Sequence, residues 1–262
     1  MNRMASFGRS LRATGAAFGL AASLLVTGGA VTSAGPPPAP ESLLSHFLCY
    51  DGEFGAFAGA SVTLGSNLGK WDVRVANPKF FCNPVRKTRR DEVTKIVDIR
   101  QHLKAYAIRP VTPVTGTAEV SDSNQFGADQ ALTVERSPSR LLVPTRKRPH
   151  DAPRGLDHFA CHRVVEGKAI EKGVQLKDQF ASFQTRVLRP VLHCGPTSKK
   201  HGDRTFEVRH PQAFLVCYSI ERRNLVPPQT RGTRNQFEQA PITARVATKL
   251  CVPSTSRSLD PT

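Results

Sequence analysis

The tightest constraint on this chain is a self-similarity that returns every 56 residues. "HFLCY" (46–50), "HLKAY" (102–106), "HFACH" (158–162) and "FLVCY" (214–218) place Cys49, Ala105, Cys161 and Cys217 in one column. A second column closes each unit: "FCNP" (81–84), "LLVP" (141–144), "HCGP" (193–196) and "LCVP" (250–253). A period of this size marks a copied supersecondary unit that needs its neighbours to bury its apolar face. Residues 46–84 and 158–196 superpose without a gap, with 11 of 39 positions identical, and units two and four share "NQF" at 124–126 and 235–237. A duplicated pair of units explains both facts.

Within a unit the period is two. Trp71, Val73 and Val75 alternate with Asp72 and Arg74; Phe183, Thr185 and Val187 with Gln184 and Arg186; Ile242, Ala244 and Val246 with Thr243 and Arg245. Such alternation predicts half-buried strands, about three to a unit. A hydrophobic content of 39%, with 19 Gly and 20 Pro, suits turn-rich β structure better than a helical bundle. The expected fold is all-β, with two related sandwich or barrel domains at 44–148 and 155–258, joined by a linker at 149–154. A single four-bladed propeller-like assembly is the alternative.

The six cysteines fall two to a unit in units one, three and four, separated by 33, 33 and 34 residues. Unit two has neither: Ala105 and Leu142 stand in their places. Joint loss of both partners points to bridges within units: Cys49–Cys82, Cys161–Cys194 and Cys217–Cys251. Losing one partner would leave a useless thiol, whereas losing both leaves a small-plus-large apolar contact. The rival reading is zinc, with His46-x-x-Cys49 and His158-x-x-Cys161 as half-sites. It fits poorly, because unit two keeps His102 without a Cys and unit four keeps both Cys with Phe214 in the His column. The repeated His reads instead as a strand-start side chain with a backbone partner.

Residues 1–34 read as a secretory signal: Arg3, Arg9 and Arg12, an apolar stretch from Ala16 to Val26, and Thr32-Ser33-Ala34 as a cleavage site. A Pro-rich linker follows at 35–43. The apolar stretch is short for a membrane span, so the mature chain is expected to be exported, to the periplasm, cell surface or medium, without a transmembrane segment. Removing three Arg takes the formal charge from +16 to +13, which draws polyanions at long range.

No nucleophile elbow, zincin helix, C-x-x-C or phosphate loop is present, and no Asp or Glu recurs in every unit. What recurs is positive charge after the closing Pro: "VRKTRR" (85–90), "TRKRPH" (145–150) and "TSKKHGDR" (197–204). If the units fold alike, these are equivalent loops. Arg86, Lys87, Arg89, Arg90, Arg146, Lys147, Arg148, Lys199 and Lys200 then become candidate anion-binding residues. Solvated, solubilising loops are the plainer reading. Aromatics are not interleaved with the basic runs, so no specific nucleic acid is indicated.

The pattern H-F-x-C-Y … V-x-L-x-D-Q-F … C-x-P, clearest as "DHFACHRV" (157–164) and "VQLKDQF" (174–180), resembles an uncharacterised family of exported bacterial domains that occur in tandem. The resemblance covers about 46–253 and implies repetition and export, but no catalytic residue or cofactor. Departures lie in unit two, which lacks the Cys pair, and at Ser66-Asn67-Leu68, where D-Q-F would stand. The functional expectation is a non-enzymatic binding or structural module of the cell envelope, with an anionic polysaccharide or lipid head group as ligand. A protein-interaction module and a hydrolase with a site between units, drawing on His150, His193, His201 or His210, are the alternatives.

Overall fold

The alternating segments become strands. In the computed structural model, which describes residues 39–260, Trp71, Val73 and Val75 are buried while Asp72 and Arg74 face solvent. A four-residue helix, Pro40–Leu43, leads in. Unit one follows as β1 (His46–Phe54), β2 (Ala60–Ser66), β3 (Gly69–Arg89) and β4 (Glu92–Thr94). Unit two has β5 (Leu103–Pro110), β6 (Thr117–Asn124), β7 (Gly127–Glu135), β8 (Arg140–Pro144) and β9 (Arg146–Lys147). Unit three has β10 (His158–Gly167), β11 (Lys172–Lys177), β12 (Ser182–His201) and β13 (Arg204–Phe206). Unit four has two long strands, β14 (Phe214–Arg234) and β15 (Gln239–Ser258), so its opening and middle strands are continuous. The expected signal segment, and residues 35–38 of the expected Pro-rich linker, lie outside the described residues.

Opening and closing strands pair antiparallel in turn, β1–β3–β5–β8–β10–β12–β14–β15, and β15 pairs back with β1. The result is a closed ring. It is not a plain barrel, because four strands run on beyond it as arms. The long strands bend where they leave the ring, at register shifts between Val75 and Pro78 in β3 and between Val187 and Pro190 in β12. A similar shift sets Tyr50 opposite Ala247 while Cys49 faces Lys249, which explains why Val246, expected to be buried, is half exposed.

One face of every ring strand points inward. Phe47, Cys49, Cys82, Leu103, Ala105, Leu142, Phe159, Cys161, Cys194, Leu215, Cys217 and Cys251 form one buried cluster. The three proposed disulfides are present, each between residues directly opposite in register: Cys49–Cys82, Cys161–Cys194 and Cys217–Cys251. Ala105 stands opposite Leu142 at the fourth place. Three disulfides are compatible with an oxidising, extracytoplasmic setting.

The outward faces pack under the arms, and here the chain departs from the two-domain expectation. After its closing Pro, each unit sends its tail to the middle strand two units away. Arg86–Thr88 pair with β11, β9 with the end of β14, Ser198–Lys200 with β2, and Thr255–Ser258 with β6. The halves 44–148 and 155–258 are therefore laced together, and the described residues, 39–260, pack as one unit. The boundary expected at 149–154 is a connection inside that unit. Alternate units resemble one another because they are partners across the ring, not because they form separable halves. The four units do share one assembly, but as mutually paired strands instead of separate blades.

Candidate functional site

The repeated N/D-Q-F turn turns out to be a connector. Asp178 Oδ1 accepts the backbone N–H groups of Phe180 (2.8 Å) and Ala181 (2.9 Å), closing an Asx turn. Asn124 and Asn235 do the same for Phe126 and Phe237 (2.9 Å each). The second atom of each side chain reaches the outward residue beside the Cys or Ala of a unit two places away. Tyr50 donates to Asp178 Oδ2 (2.9 Å), while Asn235 and Asn124 donate to Tyr106 (2.8 Å) and Tyr218 (3.0 Å).

The Gln and Phe of the turn receive a lysine from the preceding unit. Lys87 donates to Gln125 and lies 5.4 Å from the Phe126 ring centre; Lys147 donates to Gln179 and lies 4.7 Å from Phe180. Lys199 sits between Phe206 and Phe237, 4.5 Å from each. Spacing within a unit is held because three side chains of one turn meet partners in two other units.

The basic clusters are thus mostly strand tails, with Arg90 and Arg148 in the turns beyond them, and strand alternation sends one cation of each inward. Lys87, Lys147 and Lys199 are buried, whereas Arg86, Arg90, Arg146, Arg148 and Lys200 are exposed and Arg89 is half-buried. Burial lowers Lys87 to about 8 and both Lys147 and Lys199 to about 7. Lys199 is the least compensated: its Nζ has no hydrogen-bond partner, because Gln236 bonds His158 instead.

A pH dependence follows. Between about pH 7 and the ordinary lysine value of 10.5, the unfolded chain holds a proton that the folded chain has shed. Stability therefore rises with pH across this window, and the full cost of charging Lys199 is felt below it. Lys199→Met should gain about 1–3 kcal/mol over wild type at pH 6, with the advantage shrinking towards pH 10, as read from urea midpoints. A difference that is constant with pH would refute this account.

Two exposed cation pairs stand out on the tails. Arg146 is directly opposite Arg234, and Arg86 directly opposite Lys177. Like charges facing each other across an antiparallel pair are destabilising. At the corresponding register the other two tails place Ser198 against Gly65 and Thr255 against Ser123. Around the first pair, Arg146, Arg148 and Arg234 line a cleft of about 220 Å³ with Thr233, Gln239 and Pro241, and among the described residues no carboxylate lines it. Arg148 lies over Gly232, where an added Cβ would come 3.6 Å from its Cδ.

The cleft continues past Arg146 and Arg234 into a second depression of about 620 Å³ that contains Arg209. Two carboxylates lie there too: Asp157, whose oxygens accept the backbone N–H groups of Arg209 (2.9 Å) and His210 (2.8 Å), and the exposed Glu207. Arg234 and Arg209, unlike Arg146 and Arg148, were not legible as site residues, because they come from other units.

The histidines take structural places. His46 and His158 bond Gln125 and Gln236 of the following unit, a side-chain partner where a backbone one was expected. Burial first, then Lys87 and Lys199 respectively, lowers each to about 3. With Cys49 and Cys161 in disulfides, neither His-x-x-Cys is a zinc half-site. Of the histidines named for a hydrolase, His193 Nδ1–H donates to Asp122 Oδ2 (3.0 Å) in full burial, opposite His162 in register, while His150 lies against His102 and His201 against Phe237. Among the described residues no helix is long and apolar enough to cross a membrane.

A family model described as a repeat of unknown function (DUF7450) matches residues 102–253. No curated protein and no solved structure matches the chain.

Proposed function

We propose that this chain, which belongs to the DUF7450 family of repeats of unknown function, is an exported, non-enzymatic module that binds an anionic polysaccharide in the groove through Arg148, Arg146, Arg234 and Arg209. The observation that carries the reading is Arg146 directly opposite Arg234. That arrangement weakens the sheet by itself; Asp151 reaches Arg146 only at 4.0 Å and in solvent, and an anion between the two forks relieves the repulsion more directly. An extended groove with cations along its length suits a polymer better than a single small ion. Arg86 and Lys177 form a second patch of the same kind on the opposite tail. The disulfide-clamped ring holds both patches in fixed positions, which limits the ordering cost of binding.

The test is retention on a sulfated or carboxylated polysaccharide matrix under a salt gradient. Arg146→Gln/Arg234→Gln should lose roughly tenfold in affinity and flatten the salt dependence. Lys95→Gln/Lys168→Gln, which removes the same charge from exposed positions off the groove, should stay near wild type. Equal losses in both double variants would reduce the interaction to net charge and defeat the proposal. Stronger retention on anionic vesicles than on the polysaccharide would point to lipid head groups instead.

A further inference from the structure

The inward face of the ring changes character one step beyond the sulfur layer. At the end where opening strands finish and closing strands begin, the ring holds a cavity of about 980 Å³, lined from β1, β3, β7, β8, β10, β12 and β15. Its floor is apolar: Phe80 and Leu192 belong to the same buried cluster as the disulfides, and Val191 packs against it. Its wall is charged. Of its five cations, Lys79 and Arg189 are exposed, Arg163 pairs with Glu135 (3.5 Å), and Lys249 pairs with Asp51 (3.2 Å) while its ammonium lies 4.6 Å from the Phe80 ring centre.

Arg140 differs from these. It enters at the first residue of β8, half-buried, and its guanidinium has one hydrogen bond, to the carbonyl of its own neighbour Ser139 (2.7 Å). No carboxylate pairs with it among the described residues. Burial and then the nearby Arg163 press Arg140 below its ordinary value, the direction a bound anion would reverse. Four free N–H groups above a greasy floor make a two-part receptor. The fork takes a carboxylate side-on, and the floor takes whatever apolar chain the carboxylate carries.

We propose that the mouth of the ring binds a small amphipathic carboxylate, its head on Arg140 and its body against Phe80, Val191 and Leu192. The cavity volume lies within the range of small-molecule sites and accommodates a chain of about ten carbons. This site is separate from the arginine groove and does not depend on it.

Isothermal titration of the oxidised chain with decanoate, below its micelle concentration, tests the assignment. One decanoate should bind per chain, hexanoate should bind more weakly, and decyltrimethylammonium should not bind. Arg140→Gln should lose at least tenfold, Arg140→Lys less, and Arg146→Gln/Arg234→Gln nothing. Absence of decanoate binding, equal binding of the cationic and anionic chains, or wild-type affinity in a folded Arg140→Gln would overturn the proposal. The chain-length and head-group series uses the wild-type protein alone, so it decides the question even if Arg140→Gln does not fold.

Discussion

Asp178→Ala should cost the folded protein about 3–5 kcal/mol, because one carboxylate satisfies four donors in two units. Two are the N–H groups of its own turn, and two are Tyr50 O–H and Asn83 Nδ2, each 2.9 Å from Oδ2. Alanine leaves all four unpaired in a partly buried place, and the Asn83 amide also holds Lys147 (3.0 Å). Tyr50→Phe alone should cost only about 1–2 kcal/mol. In the double variant the two losses should sum to less than their separate values, since the residues share a bond.

Asp178→Asn should fall in between for a specific reason. At the two turns that carry Asn, the column occupied by Asn83 holds Val143 and Val252, which bring no donor. The acid at 178 is matched to the amide at 83. Urea unfolding under oxidising conditions measures all of these, and a loss under about 1 kcal/mol for Asp178→Ala would mean that the turn does not clamp the ring.

Removing the Cys161–Cys194 bridge as Cys161→Ala/Cys194→Ala should be comparably damaging, at about 3–5 kcal/mol. Freeing a loop of 34 residues accounts for about 3–4 kcal/mol of that on the chain-entropy account, and the vacated sulfur volume adds to it. The contrast that matters is with Cys161→Ala/Cys194→Leu, which copies the Ala105–Leu142 contact of unit two into unit three. It should recover about 1–2 kcal/mol, because the leucine refills the interior without restoring the tether. Identical midpoints for the two variants would show that unit two's apolar pair is no substitute packing.

The repeat, the strand content and the three bridges were legible because each is a local count: residues between Phe and Cys, alternation, or joint loss of a pair. What was not legible lies between units. Nothing near Lys87 in the chain announces that its partners are Gln125 and Phe126, or that Asp178 waits for Tyr50 across 128 residues. The burial of Lys87 beside the exposed Arg86 did leave a trace. A strand continued past Pro84 turns Arg86 outward and Lys87 inward, an alternation that the density of charge over 85–90 obscures. The arginine groove was half visible, in Arg146 and Arg148. The ring mouth was invisible, because seven strands contribute to it and no two of its key residues form a motif.

Because Phe47 lies opposite Cys251, and the last tail reaches back to β6, the first and last strands made are neighbours in the finished molecule. A nascent chain that has emitted only its first half carries unsatisfied edges throughout, among them β1 without β15, β2 without β12, the Arg86–Thr88 tail without β11, and β6 without β15. Assembly must then wait for the far end of the polypeptide, so stalling or clipping anywhere along the chain leaves adhesive strand edges in place of a smaller working protein.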